Sequence, residues 1–394
     1  MIELFFCLLV YVLILFKNKT YLIHCYKLLN PISTMIYVWI LVLLCHYCYW
    51  GNFENFYISY LMCTIGVLSL TFGFWMNYRS TINVKTSSRV FYNPKFLNKF
   101  VRFLVVTELL RFVYYSYVVV YKLAGGMWIA LVDDGTALRN LYLSYDANLV
   151  EKIFSFSTNL IAYIGYVVVG IYFANKFPKR FVYLGIIILF EIALSVVTMS
   201  KLSFSLWVLS FFVSYLNNLD SLYKQKKMLK RLIPAGILLL VSFFLFIGFQ
   251  RNYMETKGSL EEGVFDGIIN YFGGPLQAFD LILDKGLDIS SFEHGMIYIG
   301  RTYTNVYTWF YYFHLLFPFW GIILFPFILG CLAGRIYKPW KHSFFNDVAN
   351  SWVCVIIAFS FFDFLLKFTV FSILFVVVWW INKKYSHKLY LYDK

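Results

Sequence analysis

Three side chains in one long polar stretch, Arg251, His294 and Arg301, are of the types that handle a diphosphate and a proton. A guanidinium stays charged, presents a planar fork of donors and grips phosphate at two points, so arginines can hold a diphosphate without a metal. Histidine can contact phosphate or move a proton. Each residue also has a plainer reading: an arginine where an apolar helix meets a loop snorkels to the headgroups, and a lone histidine is often a satisfied surface group. Arg139, in a second polar stretch, divides the same way. It sits on a short amphipathic helix lying on the membrane surface, and either faces the headgroups or points into a cavity beneath that helix.

A second set of charges lies inside apolar runs. Glu108 and Arg111 are three apart, on one helical face and near mid-depth, where a charge costs at least a few kcal/mol unless paired or hydrated (~3 kcal/mol or more). They lock two helices as an internal ion pair, or they line a polar cavity that receives substrate. Asp363 and Lys367, four apart, invite the same two readings, while Glu191 has no partner visible in the sequence. The six histidines are scattered, and no D-x-D, H-E-x-x-H or glycine-rich phosphate loop occurs. No metal site and no cofactor is therefore expected, and a nucleotide-driven pump is disfavoured.

The elements that must position these groups follow from composition. The 394 residues are 61% apolar and 14% charged, with a mean hydropathy of +0.70, which excludes a water-soluble globule. A spanning helix needs about 20 apolar residues. Apolar runs near 1–16, 32–50, 56–77, 100–121, 153–175, 181–199, 202–217, 232–249 and 317–337, with a last stretch at 351–381, predict an all-α polytopic membrane protein. That gives about ten or eleven transmembrane helices in a single domain, with a retained first anchor. The net charge of +14 raises nucleic acid as a partner in a soluble protein. Here the basic residues fall between apolar runs, so anionic lipid headgroups are the expected counter-charge and nucleic acid is not.

Alternate gaps carry 20 Lys and Arg against 8 in the others, although the poorer set includes the two longest loops, about 122–152 and 251–302. The positive-inside rule then puts the amino terminus and both long loops outside. A single helix over 351–381 would leave Lys383, Lys384, Lys388 and Lys394 outside as well, so a chain reversal near 363–367 is preferred to one long tilted helix. The outer stretch 251–301 has a net charge of −4 and is dense in Gly and Pro, which predicts a folded lid. Cys45 and Cys48 form a C-x-x-C inside a span, a buried pair rather than a redox site, and none of the seven cysteines suggests a disulfide framework.

The segments R-N-Y-M-E-T-K-G (251–258), Y-F-G-G-P-L-Q-A-F-D (271–280) and Y-T-N-V-Y-T-W-F-Y-Y (303–312), followed by the helix of Gly321, resemble the carboxyl-terminal half of Wzy-type O-antigen or oligosaccharide repeat-unit polymerases. The first half agrees in layout: many spans, an outer loop with Arg139 after Gly125 and Gly126, then a basic gap at 220–231. Where members often carry a D-F-G-like segment after the tyrosines, this chain has Leu316, Phe317 and Pro318. The resemblance implies a bacterial inner-membrane glycosyltransferase that joins undecaprenyl-diphosphate-linked oligosaccharides on the periplasmic side, working beside a chain-length regulator and a flippase. On that reading Arg251 and Arg301, with Arg139 in support, bind the diphosphate. His294 or Glu255 serves as base, and Tyr271, Asn305 and Tyr307 position sugars. A flippase or exporter of the same lipid-linked saccharide, or an O-antigen ligase, are the alternatives.

Overall fold

The computed structural model describes residues 2–22, 27–50, 57–78, 91–219, 221–231, 234, 242, 260–285, 297–298, 303–304, 307–338 and 343–391, with 129, 134, 199, 364 and 368 left aside. The chain is a multi-pass helical protein. Six of its helices are long and apolar enough to cross a membrane, covering 31–48, 58–77, 94–123, 149–174, 180–198 and 344–361, and a bent pair makes a seventh if counted as one span. The expected run at 232–249 lies outside the described residues apart from positions 234 and 242. Extended pairing among the described residues is limited to two-residue antiparallel contacts, Phe91–Tyr92 with Tyr390–Leu391 and Ile297–Tyr298 with Tyr303–Thr304.

The chain divides into two compact units. The first contains α1 (Ile2–Tyr21), α2 (Pro31–Trp50), α3 (Tyr57–Asn77), most of α10 (Leu260–Lys285), α11 (Trp309–Leu316) and α12 (Trp320–Ile336). It also takes the second half of α13 (Phe344–Ala358) and the turns that follow. Pro31 fixes the first turn of α2, and Asn30 caps it by accepting from the Ser33 N–H at 3.0 Å. Trp39, Trp309 and Trp352 fill the centre, and the Trp39 indole donates to Ser360 Oγ at 2.8 Å, so the large ring is buried without losing a hydrogen bond.

In this unit α3 and α12 meet almost backbone to backbone, because small residues face each other. A Cβ at Gly73 would stand 2.2 Å from the Phe327 carbonyl oxygen, and one at Gly330 2.1 Å from that of Leu70. Pro326 removes one N–H from the interior of α12. Nearby, Ser69 Oγ of α3 donates to the Ile323 carbonyl at 2.6 Å, a hydrogen bond between the two helices. Between α11 and α12 the chain bends by 120°, with Phe319 at φ 59° in the left-handed region.

The second unit contains α4 (Pro94–Ser116), the π-helical turn Tyr117–Leu123, α5 (Ala130–Asp133), α6 (Gly135–Ser144), α7 (Leu149–Ala174), α8 (Arg180–Thr198) and α9 (Lys201–Asn217). The first part of α13 and all of α14 (Thr369–Leu389) belong to it as well. Asn93 caps α4 by accepting from the Lys95 N–H, and Asn148 with Glu151 makes a reciprocal capping box at the start of α7. Gly165 lets Leu104 of α4 approach α7, and Ser214 Oγ of α9 donates to the Val167 carbonyl at 2.7 Å. Between 359 and 368 the α-helix gives way to two 3-10 turns, Phe359–Phe361 and Leu365–Lys367, so the last apolar stretch is two α-helices and not one long one.

One expectation needs correction. The glycines at 263, 267, 273 and 274 and Pro275 were read as turn residues, yet they lie within α10. Residues 273–280 are all buried, and that burial outweighs the poor intrinsic helix propensity of Gly273, Gly274 and Pro275.

Candidate functional site

The segment 124–148 of the second unit is built on the end of α4. After the π turn the chain reverses through Gly125 and Gly126, at φ 61° and 88°, a backbone that favours glycine. Helix α6 then drops Leu138 into a cluster with Tyr115, Val119, Leu131, Leu194 and Val197, while Leu141 and Leu143 stay exposed. This is the expected amphipathic helix. Half-buried Arg139 reaches from it to the end of α8, where Nη1 donates to the Thr198 carbonyl at 2.9 Å, and its guanidinium carbon lies 5.7 Å from the centre of the Tyr142 ring. A cation at a helix carboxyl end satisfies an orphan carbonyl and opposes the helix dipole.

Beneath this loop Glu108 and Arg111 are buried at 1% and 2% exposure and meet a third charge, Glu191 of α8. Arg111 Nη1 donates to Glu108 Oε2, to Glu191 Oε1 at 2.8 Å and to the Tyr166 hydroxyl at 3.0 Å, while Nε donates to Asn159 Oδ1 at 3.2 Å. The Tyr166 hydroxyl donates to Glu191 Oε1 at 2.6 Å, and Ser203 Oγ to Oε2 at 3.2 Å. Helices α4, α7, α8 and α9 are thereby joined by one charged network. Of the two readings, the geometry favours an internal ion network for Glu108 and Arg111 over a wall that receives substrate, since every charged group is covered.

The first unit gathers residues that periodicity did not single out. His46, at the end of α2, is fully buried between α3 and α10: Nδ1 lies 2.9 Å from the Tyr60 hydroxyl and Nε2 2.9 Å from Gln277 Oε1. Because that amide oxygen only accepts, Nε2 carries the proton and Nδ1 accepts from Tyr60. One turn along α10 from Gln277, Asp280 accepts from both the backbone N–H and the hydroxyl of Ser59, in the first turn of α3. A carboxylate from one helix thus caps the amino end of another. Gln277 and Asp280 both belong to the Y-F-G-G-P-L-Q-A-F-D segment. In the same unit Phe279 meets His314 of α11 edge to face at 6.2 Å, so α10 and α11 pack together there.

Burial raises the Asp280 carboxyl from 3.8 to about 6, against the lowering effect of the two Ser59 donors. Its folded value lies above its unfolded one. Its contribution to stability is therefore complete below 3.8 and is lost as pH rises through about 6. Asp280→Asn is expected to flatten the pH dependence of thermal unfolding across that window. An unchanged slope in the variant rules Asp280 out as the titrating group.

Of the remaining sequence candidates, Tyr307 is buried with its ring tilted against that of Tyr311 at 5.3 Å, and half-buried Tyr271 contacts Phe362 at 5.0 Å. Arg251, Glu255, His294, Arg301 and Asn305 lie outside the described residues. No group of three or more metal-ligating side chains occurs among the described residues. No protein-family model, curated protein or solved structure matches this chain.

Proposed function

We propose that this chain is a membrane glycosyltransferase of the inner membrane that polymerises undecaprenyl-diphosphate-linked oligosaccharide repeats at the periplasmic face. Arg251 and Arg301, helped by Arg139, bind the diphosphate and stabilise its charge as it departs. Each well-placed donor to a developing anion contributes about 3 kcal/mol. An acceptor hydroxyl attacks the anomeric carbon and gives its proton to His294 or Glu255, so the anomeric centre inverts. Tyr271, Asn305 and Tyr307 position the sugars, and a chain-length regulator and a flippase are the expected partners.

What carries this reading is the likeness of three segments, 251–258, 271–280 and 303–312, to the polymerase family; in the fold Phe279 of the second packs on His314, two residues beyond the third. In a strain lacking its own polymerase, Arg251→Ala and Arg301→Ala are expected to abolish the ladder of surface polysaccharide while the protein persists in the membrane. Lysine replacements are expected to rescue poorly, because a point charge does not grip phosphate at two places. A wild-type ladder from either alanine variant would refute the clamp.

One observation favours a second reading, an exporter of the same lipid-linked saccharide: the Glu108–Arg111–Glu191 network sits in mid-span, where transporters keep charged groups. Purified protein in detergent separates the two. Polymer formed from lipid-linked repeats with no membrane to cross supports the transferase, and none supports the exporter.

A further inference from the structure

The charged network of the second unit does not balance as drawn. Glu108 and Glu191 are both at most 1% exposed, and Arg111 is the one cation that meets them among the described residues. If all three were ionised, the middle of the bundle would hold a net negative charge where solvent cannot reach it. Such a charge is expensive in hydrocarbon surroundings.

The donors are also unevenly shared. Glu191 receives three, from Arg111, Tyr166 and Ser203, which is the environment of an ionised carboxylate. Glu108 receives Arg111 alone, on Oε2, and no donor reaches its buried Oε1. The two carboxyl groups contact the same nitrogen, Arg111 Nη1, which holds them close together. Two carboxylates without an intervening hydrogen repel. One proton shared between neighbouring carboxyl groups replaces that repulsion with a charge-assisted hydrogen bond.

We propose that the bundle contains a proton-binding site: one proton resides on Glu108 and is donated toward ionised Glu191, so that the pair and Arg111 together are neutral. The groups facing the site from the packed elements are Arg111 and Tyr115 of α4, Tyr163 and Tyr166 of α7, and Ser203 of α9, while Tyr142 of α6 faces Arg111. None of these phenols is acidic enough to supply a second negative charge at neutral pH, and Arg111 does not release its proton. The site continues toward the segment 124–148 through hydrogen bonds: Arg111 Nε to Asn159, Asn159 Nδ2 to the Tyr115 hydroxyl at 3.1 Å, and that hydroxyl to Ser155 at 2.8 Å. Tyr115 in turn lies in the cluster that Leu138 of α6 fills. Losing the proton would put an unbalanced charge against α8 and, through this chain, disturb the seat of α6. The site is independent of the sugar-transfer reading.

The test is infrared spectroscopy of the purified full-length protein in detergent, in light and heavy water, well above the value of about 6 carried by Asp280 so that this carboxyl is ionised. The expected result is a carbonyl band of a protonated carboxyl that shifts on deuteration and disappears in Glu108→Gln. That variant, which keeps a neutral donor, is expected to unfold at the wild-type temperature, whereas Glu191→Gln unfolds lower. Absence of the band in the wild-type protein overturns the proposal, and this measurement stands even if a variant fails to fold. Survival of the band in Glu108→Gln with loss in Glu191→Gln overturns the assignment equally.

Discussion

Arg111→Ala is expected to be among the most damaging single substitutions in the chain. It removes the guanidinium from two buried carboxyl groups, from Tyr166 and from Asn159 at once. Breaking a buried ion pair by deleting one partner costs about 3–5 kcal/mol, because the surviving charge stays buried without compensation. Against a total stability of about 5–15 kcal/mol, that is enough to lower the amount of folded protein severely. The informative contrast replaces the whole network with apolar groups of similar size: Glu108→Leu, Arg111→Met, Tyr166→Phe and Glu191→Leu together. If the network serves packing alone, the quadruple variant should unfold within a few degrees of wild type, since well-packed apolar replacements of buried ion clusters are often neutral or stabilising. Thermal unfolding followed by size-exclusion chromatography distinguishes the cases. A quadruple variant that folds but loses activity assigns the network a working role beyond holding helices together.

How much of this was legible in the sequence depends on whether the information was local. The i, i+3 spacing of Glu108 and Arg111 puts them on one face, and a charge in an apolar run demands a partner, so an internal pair was readable from residue spacing alone. That Glu191 completes it was not, because its approach depends on how α8 packs against α4. The helix interruption between 359 and 368 was anticipated from charges at 363 and 367 and from the lysines beyond. The opposite happened at 260–285. Glycines and a proline that signal turns in water lie there in a helix whose residues 273–280 are buried, and local propensity gave way to burial.

The polar residues of the first unit illustrate a different blind spot. His46 sits alone in an apolar helix, and the sequence offered no reason to connect it with Gln277, 231 positions away. Asp280 looked like one of many acidic residues in an acidic stretch, whereas in the fold it caps α3. What periodicity could have supplied is the i, i+3 relation of Gln277 and Asp280, which places both on the same face of a helix. It was hidden because that segment was read as a lid of turns and not as a helix.

The contact between α3 and α12 makes the second large prediction. Lipid tails are as apolar as leucine, so helices in a membrane gain little from burying apolar surface against each other and depend on close packing instead. Here closeness comes from glycine. Side chains introduced at Gly73 or Gly330 would meet backbone carbonyls at 2.2 and 2.1 Å, which no rotamer change can relieve; the helices themselves must separate. Separation also lengthens the Ser69 hydrogen bond to the Ile323 carbonyl beside Pro326. Gly73→Val and Gly330→Val are each expected to cost about 3 kcal/mol, at the upper end of overpacking effects because the obstacle is backbone. Gly185→Ala is the control. It lies in α8 with nothing within 4 Å of the added Cβ, and alanine there should be neutral or stabilising by about 0.5–1 kcal/mol. Thermal unfolding of the three variants ranks them. If Gly330→Val unfolds at the temperature of the Gly185→Ala control, α3 and α12 are not held at backbone distance, and the tryptophan core built around them must be packed differently.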